Sequence, residues 1–231
     1  MRRVCLIRHG ATRANEARLY CGSSDLPLSD RGLAELLHLR EGAGYPERAG
    51  YSIYTSGMVR TEQTLKALFG PVAHQVEPDL RELDFGVFEL HSYEELAERA
   101  DYQTWISGDN ENQRCPGGES GREMTARVWR AFQRLVGAGD ALIVTHGGPI
   151  AAIMAGLFPG EGKNRFQWQS APGHGYQIEL EADGGGLAPR TYRPIPDSRP
   201  QDHKKGLRRK KRAAGSPAAR FFSAWLKAHT I

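Results

Sequence analysis

The 231-residue chain is 39% hydrophobic and 25% charged, the proportions of a folded domain and not of a disordered or collagen-like chain. No apolar run approaches the roughly 20 residues that a membrane-spanning helix needs, and Met1-Arg2-Arg3 with four apolar residues behind it is too short to read as a secretory leader. The net charge of +4 hides an asymmetry, because Pro196 to Ile231 holds ten Lys or Arg against two Asp while the preceding residues carry 21 basic and 25 acidic side chains. The expected organisation is therefore a mildly acidic domain over residues 1–195 and a basic tail over 196–231. Cys5, Cys21 and Cys115 are scattered without metal-ligand spacing, which predicts free thiols in a reducing, cytoplasmic setting.

In chain order, Val4-Cys5-Leu6-Ile7 is a short apolar run leading into Arg8-His9-Gly10 and predicts a buried strand with a basic pair at its carboxyl end. Ala11 to Ala17 predicts a short helical turn and Arg18 to Leu28 a loop. Ser29 then caps a helix through Leu33, Leu36, Leu37 and Leu39, ended by Gly42 and Gly44. Tyr51–Tyr54 predicts a second strand, residues 58–69 a helix, and Val72–Val76 a third strand. Leu80 to Leu90 lacks periodicity and predicts an ordered loop, followed by short helices over 93–100 and 102–107. A long helix is expected over Glu119–Val136, with Met124, Val128, Trp129, Phe132, Leu135 and Val136 turned inward.

Ala141-Leu142-Ile143-Val144 repeats the opening pattern, a buried strand running into Thr145-His146-Gly147-Gly148. Pro149 starts an apolar helix from Ile150 to Leu157. Gly175–Glu181 and Arg190–Ile195 flank Asp183-Gly184-Gly185-Gly186 and predict a hairpin at a sheet edge. Strands alternating with helices predict an α/β fold with a mostly parallel central sheet, helices on both faces, a C-terminal edge hairpin and the basic tail. Ligands of open α/β sheets bind at the carboxyl ends of the strands, where His9 and His146 both fall.

Several motifs occur in order: Arg8-His9-Gly10-Ala11-Thr12 with Asn15; Tyr20-Cys21-Gly22-Ser23-Ser24-Asp25; Ser56-Gly57-Met58-Val59-Arg60-Thr61; Leu80-Arg81-Glu82-Leu83-Asp84-Phe85-Gly86; Pro116-Gly117-Gly118-Glu119-Ser120; and Val144-Thr145-His146-Gly147-Gly148. Over about residues 1–160 this series resembles the histidine phosphatase superfamily, the phosphoglycerate-mutase-like enzymes, and its pattern is most similar to the α-ribazole phosphatase and broad-specificity phosphatase branch. The resemblance implies catalytic roles for His9, Glu82, Arg8, Arg60 and His146. His9 would take up the phosphoryl group as phosphohistidine, Glu82 would serve as general acid and then base, and Arg8 and Arg60 would clamp the phosphate. His146 would face His9 as a charged or hydrogen-bonding partner. Asn15, Cys21, Gly22 and Gly147 would complete the phosphate cradle.

The residue types suit this chemistry. Phosphoryl transfer is mostly positioning and charge stabilisation, neutral imidazole is a competent nucleophile, and guanidinium matches phosphate oxygens with paired donors. No metal and no other cofactor is called for, and the expected partner is a small phosphorylated metabolite. Cys21 stands where relatives place a hydroxyl, and Leu90 replaces a common glycine after Phe88-Glu89.

The mutases' longer segment after the glutamate, with its Asn-Lys pair, is absent. This favours hydrolysis over transfer to a second substrate hydroxyl, with phosphoglycerate mutase as the alternative. A phosphoryl-binding scaffold without activity is an alternative of another class, marked by loss of one of the five residues, none of which is lost. For the tail, Lys204 to Arg212 and the apolar set Phe221, Phe222, Trp225 and Leu226 leave open docking on the body or on a second subunit, and contact with nucleic acid or an anionic membrane. Both monomer and homodimer fit the chain.

Overall fold

The computed structural model describes residues 1–183 and 186–198, so the tail expectations for residues 199–231 lie outside the described residues. In chain order the elements are β1 (Arg2–Arg8), α1 (Arg13–Ala17), α2 (Asp30–Gly42), β2 (Ala43–Gly44), β3 (Ser52–Thr55), α3 (Val59–Phe69) and β4 (Gln75–Val76). They continue with α4 (Tyr93–Leu96), α5 (Ala100–Ser107), α6 (Gly121–Ala138), β5 (Ala141–Thr145), α7 (Gly147–Leu157), β6 (Gly175–Asp183), β7 (Gly186–Ile195) and β8 (Asp197–Ser198). Single 3-10 turns at Pro78–Leu80 and Gly86–Phe88 bracket Glu82.

The main sheet runs β4-β3-β5-β1-β6-β7. The contacts of β4 with β3, β3 with β5 and β5 with β1 are parallel, while β1 with β6 and β6 with β7 are antiparallel. The expected mostly parallel α/β sheet with an antiparallel hairpin at one edge is therefore what forms. The period-two geometry of strands divides its core. Val4, Leu6 and Ile143 face α6 and α7, and Cys5, Ile7, Leu142 and Val144 face α2 and α3. A third, aromatic cluster of Phe88, Leu96, Tyr102, Trp105 and Ile106 forms beside this body, under α4 and α5.

Several boundaries differ from the sequence expectation. The strand expected over Val72–Val76 shrinks to Gln75–Val76, because the chain leaves α3 through Gly70 at φ 73° and reaches β3 only at its last two residues. The helix expected from Glu119 starts at Gly121, since the Ser120 side chain accepts from Glu123 N–H and caps it. Most consequential is α7, which begins at Gly147 and not after Pro149. Proline is tolerated there because the first-turn N–H groups lack intrahelical acceptors.

Candidate active site

The register of two adjacent parallel strands brings the strand-end histidines together. Arg8 pairs with Thr145 across β1 and β5, so the next residues, His9 and His146, emerge side by side with ring centroids 5.0 Å apart and planes at 64°. The His9 N–H donates to Thr145 O at 2.9 Å. Gly10 N–H donates to Thr64 Oγ1 on α3 at 2.9 Å, and a Cβ at Gly10 would meet Leu36 Cδ1 at 2.5 Å. Glycine here leaves room for the Leu36 side chain of α2 against the end of β1.

The tautomer of His9 follows from its partner. Nδ1 lies 2.7 Å from Gly10 O, and a carbonyl only accepts, so Nδ1 carries the proton and Nε2 keeps its lone pair. Burial, then the charges of Arg8 and Arg60, push this imidazole well below its ordinary value of 6.5. The residue is 5% exposed and is held as a neutral ring with an unprotonated Nε2.

Arg60 is buried and forked: Nη1 donates to Ser24 O at 2.8 Å, Nη2 to Gly22 O at 2.7 Å and Nε to His146 Nδ1 at 3.2 Å. Arg8 donates from Nη1 to Ser170 O at 2.7 Å, while its buried Nε has no hydrogen-bond partner among the described residues. Burial lowers both guanidinium pKa values, with Glu82 acting in the opposite sense on each, yet arginine stays charged. Two cations beside a neutral imidazole, Arg60 anchored on two carbonyls and Arg8 on one, make a site suited to a dianion.

Glu82 reaches the site from the loop between the two 3-10 turns. Its Oε2 accepts from Gly148 N–H at 2.9 Å, in the first turn of α7, and Oε1 accepts from Leu83 N–H at 2.9 Å. A Cβ at Gly148 would lie 2.1 Å from Oε1, so the second glycine after His146 makes room for the carboxylate. The loop is braced from behind by Arg127, which donates to the carbonyls of Asp79, Arg81 and Glu82 at 2.7–2.8 Å and pairs in bidentate fashion with Glu119, both contacts at 2.7 Å.

The four residues expected to complete the cradle have more varied surroundings. Asn15 Oδ1 accepts from Thr12 N–H at 3.0 Å and Thr12 Oγ1 at 3.1 Å, closing the capping box of α1. The Cys21 thiol turns towards Ser24 O at 3.7 Å, and burial raises its pKa. Gly22, expected to help frame the phosphate, contributes its carbonyl to Arg60, while its N–H goes to the Glu89 carboxylate at 2.9 Å. Gly147 lies against Arg8, where a Cβ would sit 3.3 Å from Cζ.

Sequence reasoning passed over Arg127, Glu89, Thr64 and Ser170. Arg127 and Glu89 act through bonds to backbone carbonyls or amides of distant loops and Ser170 through its own carbonyl, which no local spacing announces. Thr64, one helical turn after Arg60 and donating to its carbonyl at 2.7 Å, was within reach of an i, i+4 argument.

A family model described as histidine phosphatase superfamily (branch 1) matches residues 4–191. The adenosylcobalamin/alpha-ribazole phosphatase of Salmonella typhimurium is 31% identical over 165 residues, 67% of this chain and 79% of that protein. A protein of Enterobacter sp. named "Probable phosphoglycerate mutase GpmB" is 31% identical over 163 residues, covering 67% and 74%. The alpha-ribazole phosphatase structure from Shigella flexneri superposes with a TM-score of 0.68 at 24% identity, over 81% of this chain and 94% of that one. Paired strand-end histidines, a buried and a half-buried arginine and a loop glutamate thus sit within a sequence matched almost from end to end of its described part, and the chain belongs to the histidine phosphatase superfamily.

Proposed function

We propose that this protein is a phosphatase that hydrolyses small phosphate monoesters through a phosphohistidine on His9, with α-ribazole 5'-phosphate the foremost candidate substrate. The observation that carries the reading is the tautomer of His9: Nδ1–H is anchored on Gly10 O, which leaves the Nε2 lone pair as nucleophile on a ring that feels the charges of Arg8 and Arg60.

In the first half-reaction Nε2 attacks phosphorus, the P–O bond to the leaving group breaks, and Glu82 delivers a proton to the departing oxygen. In the second, Glu82 takes a proton from water as its oxygen attacks phosphorus and the P–N bond breaks, which returns His9 and releases inorganic phosphate. Arg8 and Arg60 stabilise the equatorial oxygens throughout. His146 holds the Arg60 guanidinium beside them through Nδ1, and Asn15, Cys21, Gly22 and Gly147 frame the pocket.

Phosphoglycerate mutase is the second reading, favoured by the name of the Enterobacter relative. Against it stands the short path after Glu82, where the Gly86–Phe88 turn leads straight to Leu90, whose N–H donates to Tyr20 O at 2.7 Å. No mutase-type segment is inserted there. A small phosphorylated metabolite in the cytoplasm, met by a monomer or homodimer, completes the proposal.

The test is a panel of α-ribazole 5'-phosphate, phosphoglycerates, sugar phosphates and p-nitrophenyl phosphate, run with the wild type and His9→Ala. Phosphate release that vanishes in His9→Ala is expected. Interconversion of 3- and 2-phosphoglycerate faster than phosphate release would assign the mutase reading, and unchanged activity in His9→Ala would remove His9 from the mechanism.

A further inference from the structure

The carboxylate of Glu89 is the most heavily hydrogen-bonded acid near the site, yet it touches none of the five residues assigned to the chemistry. It accepts from Gly22 N–H at 2.9 and 3.1 Å, Ser23 N–H at 2.9 Å, Ser24 N–H at 3.2 Å and Phe85 N–H at 3.1 Å. Three successive amides converging on one anion form a nest, a backbone arrangement that ordinarily holds a bound anion. Here the anion belongs to the protein.

The opposite side of the same segment holds Arg60. Gly22 O and Ser24 O accept from Nη2 and Nη1 at 2.7 and 2.8 Å. The peptide unit joining Gly22 to Ser23 is thus bonded at its N–H to the Glu89 carboxylate and at its carbonyl to the Arg60 guanidinium. Hydrogen bonds arranged in series polarise one another, so the carboxylate strengthens the carbonyl's hold on the cation. Arg60 is 1% exposed and has no carboxylate within ion-pair reach among the described residues. Its orientation therefore depends on those two carbonyls and His146. With Nε and one proton of each Nη committed, one proton on each Nη remains for a ligand.

We propose that Glu89 is a positioning residue for Arg60: by closing the 22–24 amide nest it aims the Arg60 fork at the phosphoryl oxygens. The proposal rests on the phosphatase reading for its ligand. Glu89 acts through the backbone of a loop that neither residue belongs to, and without its charge the loop carbonyls lose their anchor while the fold of the sheet keeps its core.

The experiment is a double-mutant cycle of Glu89→Gln and Arg60→Lys in the full chain, read by calorimetric binding of inorganic phosphate and by kcat and KM on p-nitrophenyl phosphate. Arg60→Lys keeps a charge so that phosphate binding stays measurable, but it cannot reproduce the fork. Glu89→Gln alone should weaken phosphate binding roughly tenfold and lower kcat/KM at least as much, as expected for a misdirected charged donor. In the Arg60→Lys background the same change should add less than about twofold, since coupled residues are non-additive. Thermal unfolding of each variant separates folding from binding, and Glu89→Asp, which keeps the charge on a shorter stem, replaces Glu89→Gln in the cycle if the amide does not fold.

An equal penalty in both backgrounds, or phosphate affinity unchanged by Glu89→Gln, overturns the positioning role. Phosphate binding does not require turnover, so a wild type that binds phosphate but hydrolyses no ester defeats the phosphatase reading alone. A wild type that binds no phosphate defeats both.

Discussion

Arg60 Nε lies 3.2 Å from His146 Nδ1, and because a guanidinium N–H only donates, His146 Nδ1 is the acceptor and its proton resides on Nε2. That proton goes to Ser56 Oγ at 2.8 Å, and Ser56 can pass its own to Thr61 Oγ1 at 3.2 Å, which donates to Met58 O at 2.7 Å. In this resting geometry both ring nitrogens of His146 are engaged by the protein, Nδ1 by Arg60 and Nε2 by Ser56. Burial, followed by His9, Arg60 and Arg8, pushes its pKa well below 6.5. The positive charge of the site is therefore carried by the two arginines.

A first expectation concerns the pH dependence of activity. His9 must be neutral to attack, and its depressed pKa keeps it neutral below 6.5. The acid limb of kcat/KM on p-nitrophenyl phosphate should fall below pH 6.5, with full activity retained at pH 6. An acid limb centred at or above 6.5 would show that His9 feels no such depression.

Stability should follow the same groups. Both buried histidines have folded pKa values below the unfolded 6.5, so the unfolded chain binds more protons once pH drops beneath that value. Their contribution is complete above pH 6.5 and is lost as pH falls towards the folded pKa values, at up to about 1.4 kcal/mol per pH unit for each histidine. Urea unfolding at pH 7.5 and 5.5 checks this, and equal midpoints would contradict it.

The seat of Glu82 can be removed without touching Glu82. In Gly148→Ala the new methyl would lie 2.1 Å from Oε1, which displaces the carboxylate while leaving a helix former in the first turn of α7. Turnover should fall roughly 100-fold or more, the usual worth of a positioned acid-base group, with inorganic phosphate still bound as a product inhibitor. Wild-type kcat in this variant would take Glu82 out of the reaction.

Arg127 braces the loop that carries Glu82 and is only 17% exposed at its side chain, against 16% for Glu119. Arg127→Ala leaves a largely buried carboxylate and three loop carbonyls unpaired, at a cost of about 3 kcal/mol. Denaturant unfolding should show that loss together with a reduced kcat. Glu119→Gln, which keeps the shape and one acceptor oxygen, should be milder in both.

Leu90 adopts φ 60°, in the left-handed region where a leucine side chain is strained. It directly follows Glu89 and is 42% exposed. Leu90→Gly should raise stability by up to about 1 kcal/mol through relief of that strain, measured as a higher unfolding midpoint. A drop of similar size would mean that Leu90's partial burial outweighs its backbone strain.

Much of this site was legible in the chain alone, because the residues proposed to react occur in compact motifs attached to regular elements. Apolar runs ending in Arg8-His9-Gly10 and His146-Gly147 announce two strands and the groups at their ends, and the spacing of Leu33, Leu36 and Leu37 announces a helix. These are local effects of side-chain periodicity and backbone permissiveness. Tertiary structure alone decided that β1 and β5 are neighbours in a register that places His9 beside His146, that α7 starts early enough for Gly148 to hold Glu82, and that Glu89 closes the amides of residues 22–24. Those relations depend on hydrogen bonds in which at least one partner is a backbone group, carried by nearly every residue type alike, between segments 60 or more residues apart. Composition and periodicity therefore name the chemical groups, while the packing of the sheet and loops sets their distances and protonation.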